Sequence, residues 1–143
     1  MATRGVRRTV WGVAGVVVAA LVAAAAFVVT SDPRRDIDLG AWVEPGDSWA
    51  RTAMPNARWA TDELCGGDLP CRQAVRSDTL TMYRFADRDD AIAVARRFAG
   101  EAYLSGWIVV RFEPGALTRA QRSEFAAALD CLHVGTTEDG VEC

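Results

Sequence analysis

The alternation of apolar and polar positions divides the chain into three stretches of different character. Between Arg8 and Asp32 no residue is charged, and the run from Val10 to Thr30 is built mainly from Val and Ala. At ~1.5 Å rise per residue it is long enough to cross a ~30 Å hydrocarbon core as one helix. Residues 31–60 hold no regular period, because Pro33, Pro45 and Pro55 interrupt them and Gly40 and Gly46 add turns. This composition predicts a juxtamembrane stalk or an arm wrapped on the C-terminal domain. From Arg72 onward the pattern becomes regular.

In that last stretch Gln73-Ala74-Val75-Arg76 reads as a short strand and Thr79 to Phe85 as a second, rich in β-forming side chains. Asp87 opens a helix whose first turn is acidic and whose stripe runs through Ala91, Ile92, Ala95, Phe98, Ala99 and Ala102. Trp107 to Phe112 is apolar on both faces, as an interior strand is, and Pro114-Gly115 ends it. Thr118 and Gln121 form a capping box ahead of a second amphipathic helix carrying Phe125, Ala128, Leu129 and Leu132. Gly135 ends that helix, and Val141-Glu142-Cys143 can return as an edge strand.

The order β, β, α, β, α, with a possible last strand, predicts an α+β domain of two layers. A sheet of three or four strands would carry both helices on one face, and Thr79 to Phe112 would form a right-handed parallel crossover. The organisation expected is a cytoplasmic N-terminus over 1–9, a transmembrane helix over 10–30, the arm over 31–60 and an α+β domain over 61–143. No internal repeat is visible.

Charge sets the orientation. Arg4, Arg7 and Arg8 precede the apolar run and every carboxylate follows it, so residues 31–143 hold 13 of the 16 arginines against all 19 acidic residues, a net −6. Arg34 and Arg35 follow the run, but Asp32, Asp36 and Asp38 offset them. The positive-inside rule then favours a cytoplasmic N-terminus and an extracytoplasmic domain. Ala24-x-Ala26 and Val29-x-Ser31 offer small residues for signal cleavage, yet the run is longer than a usual signal core. Gly15, Ala19 and Ala23 place small residues on one helix face, a stripe that lets membrane helices approach. The acidic domain, with its arginines scattered, argues against nucleic acid as a partner.

All four cysteines lie on the exported side, and an even set in a small domain reads as disulfides of an oxidising compartment. Cys65 and Cys71 bracket the turn-forming Gly66-Gly67-Asp68-Leu69-Pro70, which favours the pairing Cys65–Cys71 with Cys131–Cys143 among the three connectivities. The C-x5-C and C-x11-C spacings, even with His133 nearby, match no common zinc site, and no cofactor or metal is expected.

Candidate chemistry is sparse. His133 is the single histidine, and Asp62, Glu63 and Asp68 cluster around the first cysteine loop without a calcium or nucleophile signature. Glu138-Asp139-Gly140 is ordinary turn chemistry. Three of the five tryptophans, Trp42, Trp49 and Trp59, fall in the arm, where a solvated linker would expose large apolar surfaces. These rings pack on the domain or lie at the lipid surface; as binding residues they would stack on sugar or peptide. The sequence therefore predicts a membrane-anchored cell-envelope interaction module. Its partners would be membrane lipid through the N-terminal helix and an envelope protein or a second copy. The alternatives are glycan or cell-wall binding through the tryptophans, and an envelope hydrolase using Asp62, Glu63 or Asp68.

Overall fold

In the computed structural model, residues 33–44, 46, 48–132 and 142–143 are described. The domain is α+β, built on a five-stranded antiparallel sheet. Its strands are β1 (Arg58–Trp59), β2 (Cys71–Arg76), β3 (Leu80–Phe85), β4 (Ala102–Ser105) and β5 (Ile108–Phe112), in the spatial order β1-β2-β3-β5-β4. The helices are α1 (Gly40–Val43), α2 (Ser48–Ala53), α3 (Thr61–Leu64), α4 (Arg88–Arg97) and α5 (Arg119–Cys131).

Strand alternation sorts the core into two clusters, one on each face of the sheet. Val75, Leu80, Met82, Ile108, Val110 and Phe112 point to one face, where Phe125 and Leu129 of α5 cover them. Ala74, Tyr83, Phe85 and Val109 point to the other, beneath Ala91 and Val94 of α4. The two long helices therefore lie on opposite faces, which corrects the expectation of a two-layer sandwich. The physical reason is that β3 and β5 are apolar on both sides, and each side requires its own cover.

A second correction concerns topology. The segment after α4 turns at Gly100, whose φ of 79° suits glycine, and Ala102–Ser105 then becomes β4. β4 forms an antiparallel hairpin with β5, pairing Tyr103 with Val110 and Leu104 with Val109. β5 in turn pairs antiparallel with β3, Met82 opposite Val110. β3 and β4 are thus the parallel strands joined across α4, with β5 inserted between them, so the expected parallel pairing of the Thr79 and Trp107 strands does not occur. With β1 added on the far edge, the sheet has five strands rather than three or four.

The helix caps form as their residue types dictate. The Asp87 carboxylate accepts from the Asp89 N–H at 2.8 Å, and Thr118 with Gln121 completes the reciprocal capping box of α5. α5 ends at Cys131, with Leu132 as its exposed C-cap residue rather than part of its buried stripe.

Described residues of the segment expected as a stalk or wrapping arm contribute to the core. A 3-10 turn over Pro33–Asp36 leads into Ile37, Leu39, Trp42, Ala50 and Met54, all buried in the cluster that α5 covers. Both disulfides join the pairs favoured by spacing, Cys65–Cys71 with Cα atoms 5.0 Å apart and Cys131–Cys143 at 5.7 Å. In the first, Gly66 and Leu69 exchange both backbone hydrogen bonds at 2.9 Å around a turn with Gly67 at φ 52°. That tight turn brings the two thiols together. Among the described residues no helix is long and apolar enough to cross a membrane. The apolar run 10–30, its small-residue stripe and the Arg-bearing N-terminus lie outside them, as do His133 and Glu138-Asp139-Gly140.

Candidate contact surface

The arm crosses α5 through an aromatic cluster. Trp42, 5% exposed, lies 5.4 Å from the Phe125 ring, and Phe125 meets Phe112 edge-on at 6.3 Å. Trp49 stacks on Phe125 at 5.8 Å and 20°, and abuts Trp42 at 6.0 Å and 62°. Offset and edge contacts of this kind add to the area they bury. Their consequence is that the Trp49 indole is fixed by two rings while 37% of the residue stays exposed.

Trp49 forms the common wall of two shallow depressions. One, of about 170 Å³, is also lined by Thr52, Leu117, Gln121 and Glu124. The other, of about 180 Å³, is lined by Ile37, Asp38, Ala41, Trp42 and Leu132. Trp59, 46% exposed, stands on the β1 edge, with its ring 3.3 Å from where a Cβ on Gly40 would sit. The tryptophans expected as one set thus separate. Trp42 is a core residue and leaves the candidate binding set, because its ring fills the space between arm and sheet; Trp49 and Trp59 are available at the surface.

A polar clamp fixes the arm beside them. Gln73 on β2 accepts from the Leu39 backbone N–H at 3.2 Å and from Arg84 Nε at 3.0 Å, and donates its Nε2 to Asp38 Oδ1 at 3.0 Å. Arg84 also donates to the Arg35 carbonyl at 3.2 Å. The Gly40 N–H and the Gln73 amide, aided by the Arg84 charge, hold the Asp38 carboxyl below its usual range.

Of the carboxylates considered for catalysis, Glu63 is held by two arginines. Glu63 accepts from Arg58 at 3.1 Å and from Arg76, and these guanidiniums, Arg58 foremost, lower its pKa. A carboxylate so held remains ionised and is a poor general acid. Asp62 shares a broad depression with Glu63 and Trp59, whereas Asp68 sits in the disulfide turn, where its carbonyl accepts from Arg97 at 2.7 Å. Among the described residues no cluster of His, Cys, Asp or Glu is arranged to hold a metal ion.

Several residues that shape this surface carry no sequence signal of their role. Gln73 and Arg84 read as ordinary strand positions. Asp130, 2% exposed, accepts from the Tyr103 hydroxyl and ties α5 to the β4 edge, although nothing in an amphipathic helix pattern marks it. Phe125 is legible as core, but not as the ring on which Trp49 rests. Compared with protein-family models, curated proteins and solved structures, the chain matches none of them.

Proposed function

We propose that the chain is a membrane-anchored interaction module of the bacterial cell envelope, working by surface contact through the arm face around Trp49. The observation that carries this reading is the state of that indole. It is immobilised by Phe125 and Trp42, substantially exposed, and flanked by depressions on both sides. A large aromatic group ordered before contact loses little conformational entropy on binding, which is why such rings dominate interface energies. The uncharged run 10–30 and the paired cysteines support placement of the domain outside the cytoplasm.

A photo-crosslinking residue placed at position 49 of the full chain in intact cells tests the reading, with position 96 on α4 as the control. Adducts at 49 and not at 96, on a protein that stays in the pellet after alkaline carbonate washing, are expected. Release into the wash, or loss of the cellular phenotype in folded Asp62→Asn or Asp68→Asn variants, overturns it.

Glycan binding is the second reading, favoured by one specific feature. Beside the Trp49 ring, Thr52, Gln121 and Glu124 supply hydroxyl, amide and carboxylate groups to a depression of about 170 Å³. Such a combination suits a sugar ring, with its apolar face on the indole and its hydroxyls on the polar rim.

A further inference from the structure

We infer that the arm face seats on the lipid headgroup layer of the membrane that anchors the chain, with Trp49, Trp59 and Leu132 as its contacts; this rests on the anchored reading above and names the partner of that same surface. Two independent observations lead to it, one from side-chain placement and one from chain length.

Among the described residues the large exposed apolar side chains are Trp49, Trp59 and Leu132. They come from α2, β1 and the end of α5, yet all border the short stretch Ile37–Trp42. Trp49 and Leu132 share a depression with Ile37, Asp38 and Ala41, and Trp59 lies against Gly40. A domain that scatters single apolar residues needs no explanation, but one that gathers them around the root of its tether does.

The tether is short. The uncharged run ends at Thr30, and Ile37 is already 5% exposed within the core. The 3-10 turn Pro33–Asp36 advances only ~2 Å per residue, and the preceding steps add at most ~3.6 Å each, so Ile37 lies within about 20 Å of the end of the run. A domain of this size has a radius of gyration of about 13 Å, hence a diameter well above that reach. A tether of that reach disfavours turning the face bearing Ile37 away from the bilayer, whose headgroup layer is roughly 5–8 Å deep on each side. Tethering supplies a high effective concentration, so modest affinity suffices.

The chemistry of the face fits that environment. Indole rings favour the headgroup level, where the ring is shielded and the N–H stays wet. The net −6 of residues 31–143 rules out general attraction to anionic lipid. Contact should accordingly form on neutral phosphatidylcholine, by apolar insertion.

The full chain, labelled with 5-fluorotryptophan and reconstituted in phosphatidylcholine vesicles, provides the test. Resonances are assigned by Trp11→Phe, Trp49→Phe and Trp59→Phe, and a fraction of the lipid carries a nitroxide on its headgroup. Loss of the Trp11, Trp49 and Trp59 signals, with Trp42 beneath them retained at the same nitroxide content, is the expected result. Loss of Trp11 alone overturns lipid seating and leaves the anchor standing. Retention of Trp11 overturns the anchor itself. Broadening at Trp49 that follows protein-to-lipid ratio instead of nitroxide content assigns the face to a second copy. Perturbation only after cell-wall fragments are added assigns it to glycan. Either of these last two also overturns lipid seating.

Discussion

Gln73 on β2 donates to the Asp38 carboxylate at 3.0 Å, and this contact fastens the N-terminal arm to the sheet. Because the same amide accepts from the Leu39 N–H and from Arg84, one side chain satisfies three groups at the crossing. Replacing it by leucine, similar in bulk but unable to hydrogen-bond, leaves the Leu39 N–H without its partner. Gln73→Leu should cost about 1 kcal/mol, a figure held low by partial exposure of the site. Urea denaturation measures the cost, and a red shift of tryptophan emission before global unfolding would show the arm lifting first. A variant as stable as the parent would mean that apolar burial of Leu39 and Trp42 alone holds the arm.

The two stacked tryptophans should respond differently to truncation. Trp42 is surrounded by core, so Trp42→Ala leaves a cavity and is expected to cost about 3–5 kcal/mol, a large share of a small domain's stability. Trp49→Ala removes a partly exposed ring and should cost only about 1 kcal/mol, chiefly the stacking on Phe125. Equilibrium melts of both variants check the ranking. Equal losses would show Trp49 to be structural, and would remove the central support for a contact role.

How much of the fold is legible in the sequence depends on where its determinants lie. Local determinants can be read directly: the caps at Asp87 and Thr118, the β-rich run of β3, and the glycine turn between Cys65 and Cys71. Determinants that depend on pairing cannot. Ala102 continues the helical stripe as a pattern, yet Phe98 caps the helix and Gly100 turns the chain, so Tyr103 and Leu104 enter β4. That one strand, hidden in the pattern, reverses the direction expected of β5. The arm misleads for a similar reason. Its prolines do break regular period, but short helices between them suffice to bury Leu39 and Trp42 against the sheet. The contact surface is less accessible still, since Trp49, Trp59 and Leu132 meet only through tertiary structure.

Acid should weaken the domain only slightly through two carboxylates, because both are exposed and screened by solvent. Asp38, with an ordinary value of 3.8, and Glu63, with 4.5, are both more acidic when folded, through the Gly40 and Gln73 donors and through Arg58 and Arg76 respectively. A depressed folded pKa contributes stability that is present above the unfolded value and lost as pH falls through the folded one. Stability should therefore decline as pH drops below the ordinary carboxylate range. Asp38→Asn should flatten part of that decline while lowering the plateau at neutral pH. Denaturation midpoints from pH 7 down to pH 3 provide the check, and an unchanged slope in Asp38→Asn would exclude Asp38 as a contributor.

The disulfides should be separable. Intact mass without reductant should fall about 4 Da below the reduced chain, from two hydrogens per bond. On the chain-entropy account, removing Cys65–Cys71 costs about 2 kcal/mol and removing Cys131–Cys143, with its longer loop, about 3. The first pair has further support, since Ala60 donates to the Ala74 carbonyl outside the loop and Arg97 to the Asp68 carbonyl within it. The Cys65→Ser/Cys71→Ser variant should therefore fold and bury Phe85 as before, as seen by hydrogen exchange along β3. Loss of protection throughout β3 would mean that the bond, rather than the sheet, holds this edge.

The carboxylates around the first cysteine loop give the sharpest separation between contact and catalysis. Glu63 joins Arg58 and Arg76 at an exposed edge, and exposed pairs of this kind contribute little to stability. Glu63→Gln should thus leave a folded protein with near-parental melting behaviour, as should Asp62→Asn and Asp68→Asn. If the domain works through its arm face, all three should retain the cellular phenotype, because none of these carboxylates lines the two depressions beside Trp49. Trp49→Asp, by contrast, places a charge where an apolar ring makes contact and should abolish the phenotype while the disulfides and the fold persist. Complementation by each variant, read beside its melt, makes the comparison. A folded Asp62→Asn or Glu63→Gln that fails to complement, together with a Trp49→Asp that succeeds, would move the working site from the arm to the carboxylate edge at β1 and would make chemistry, not contact, the function to pursue.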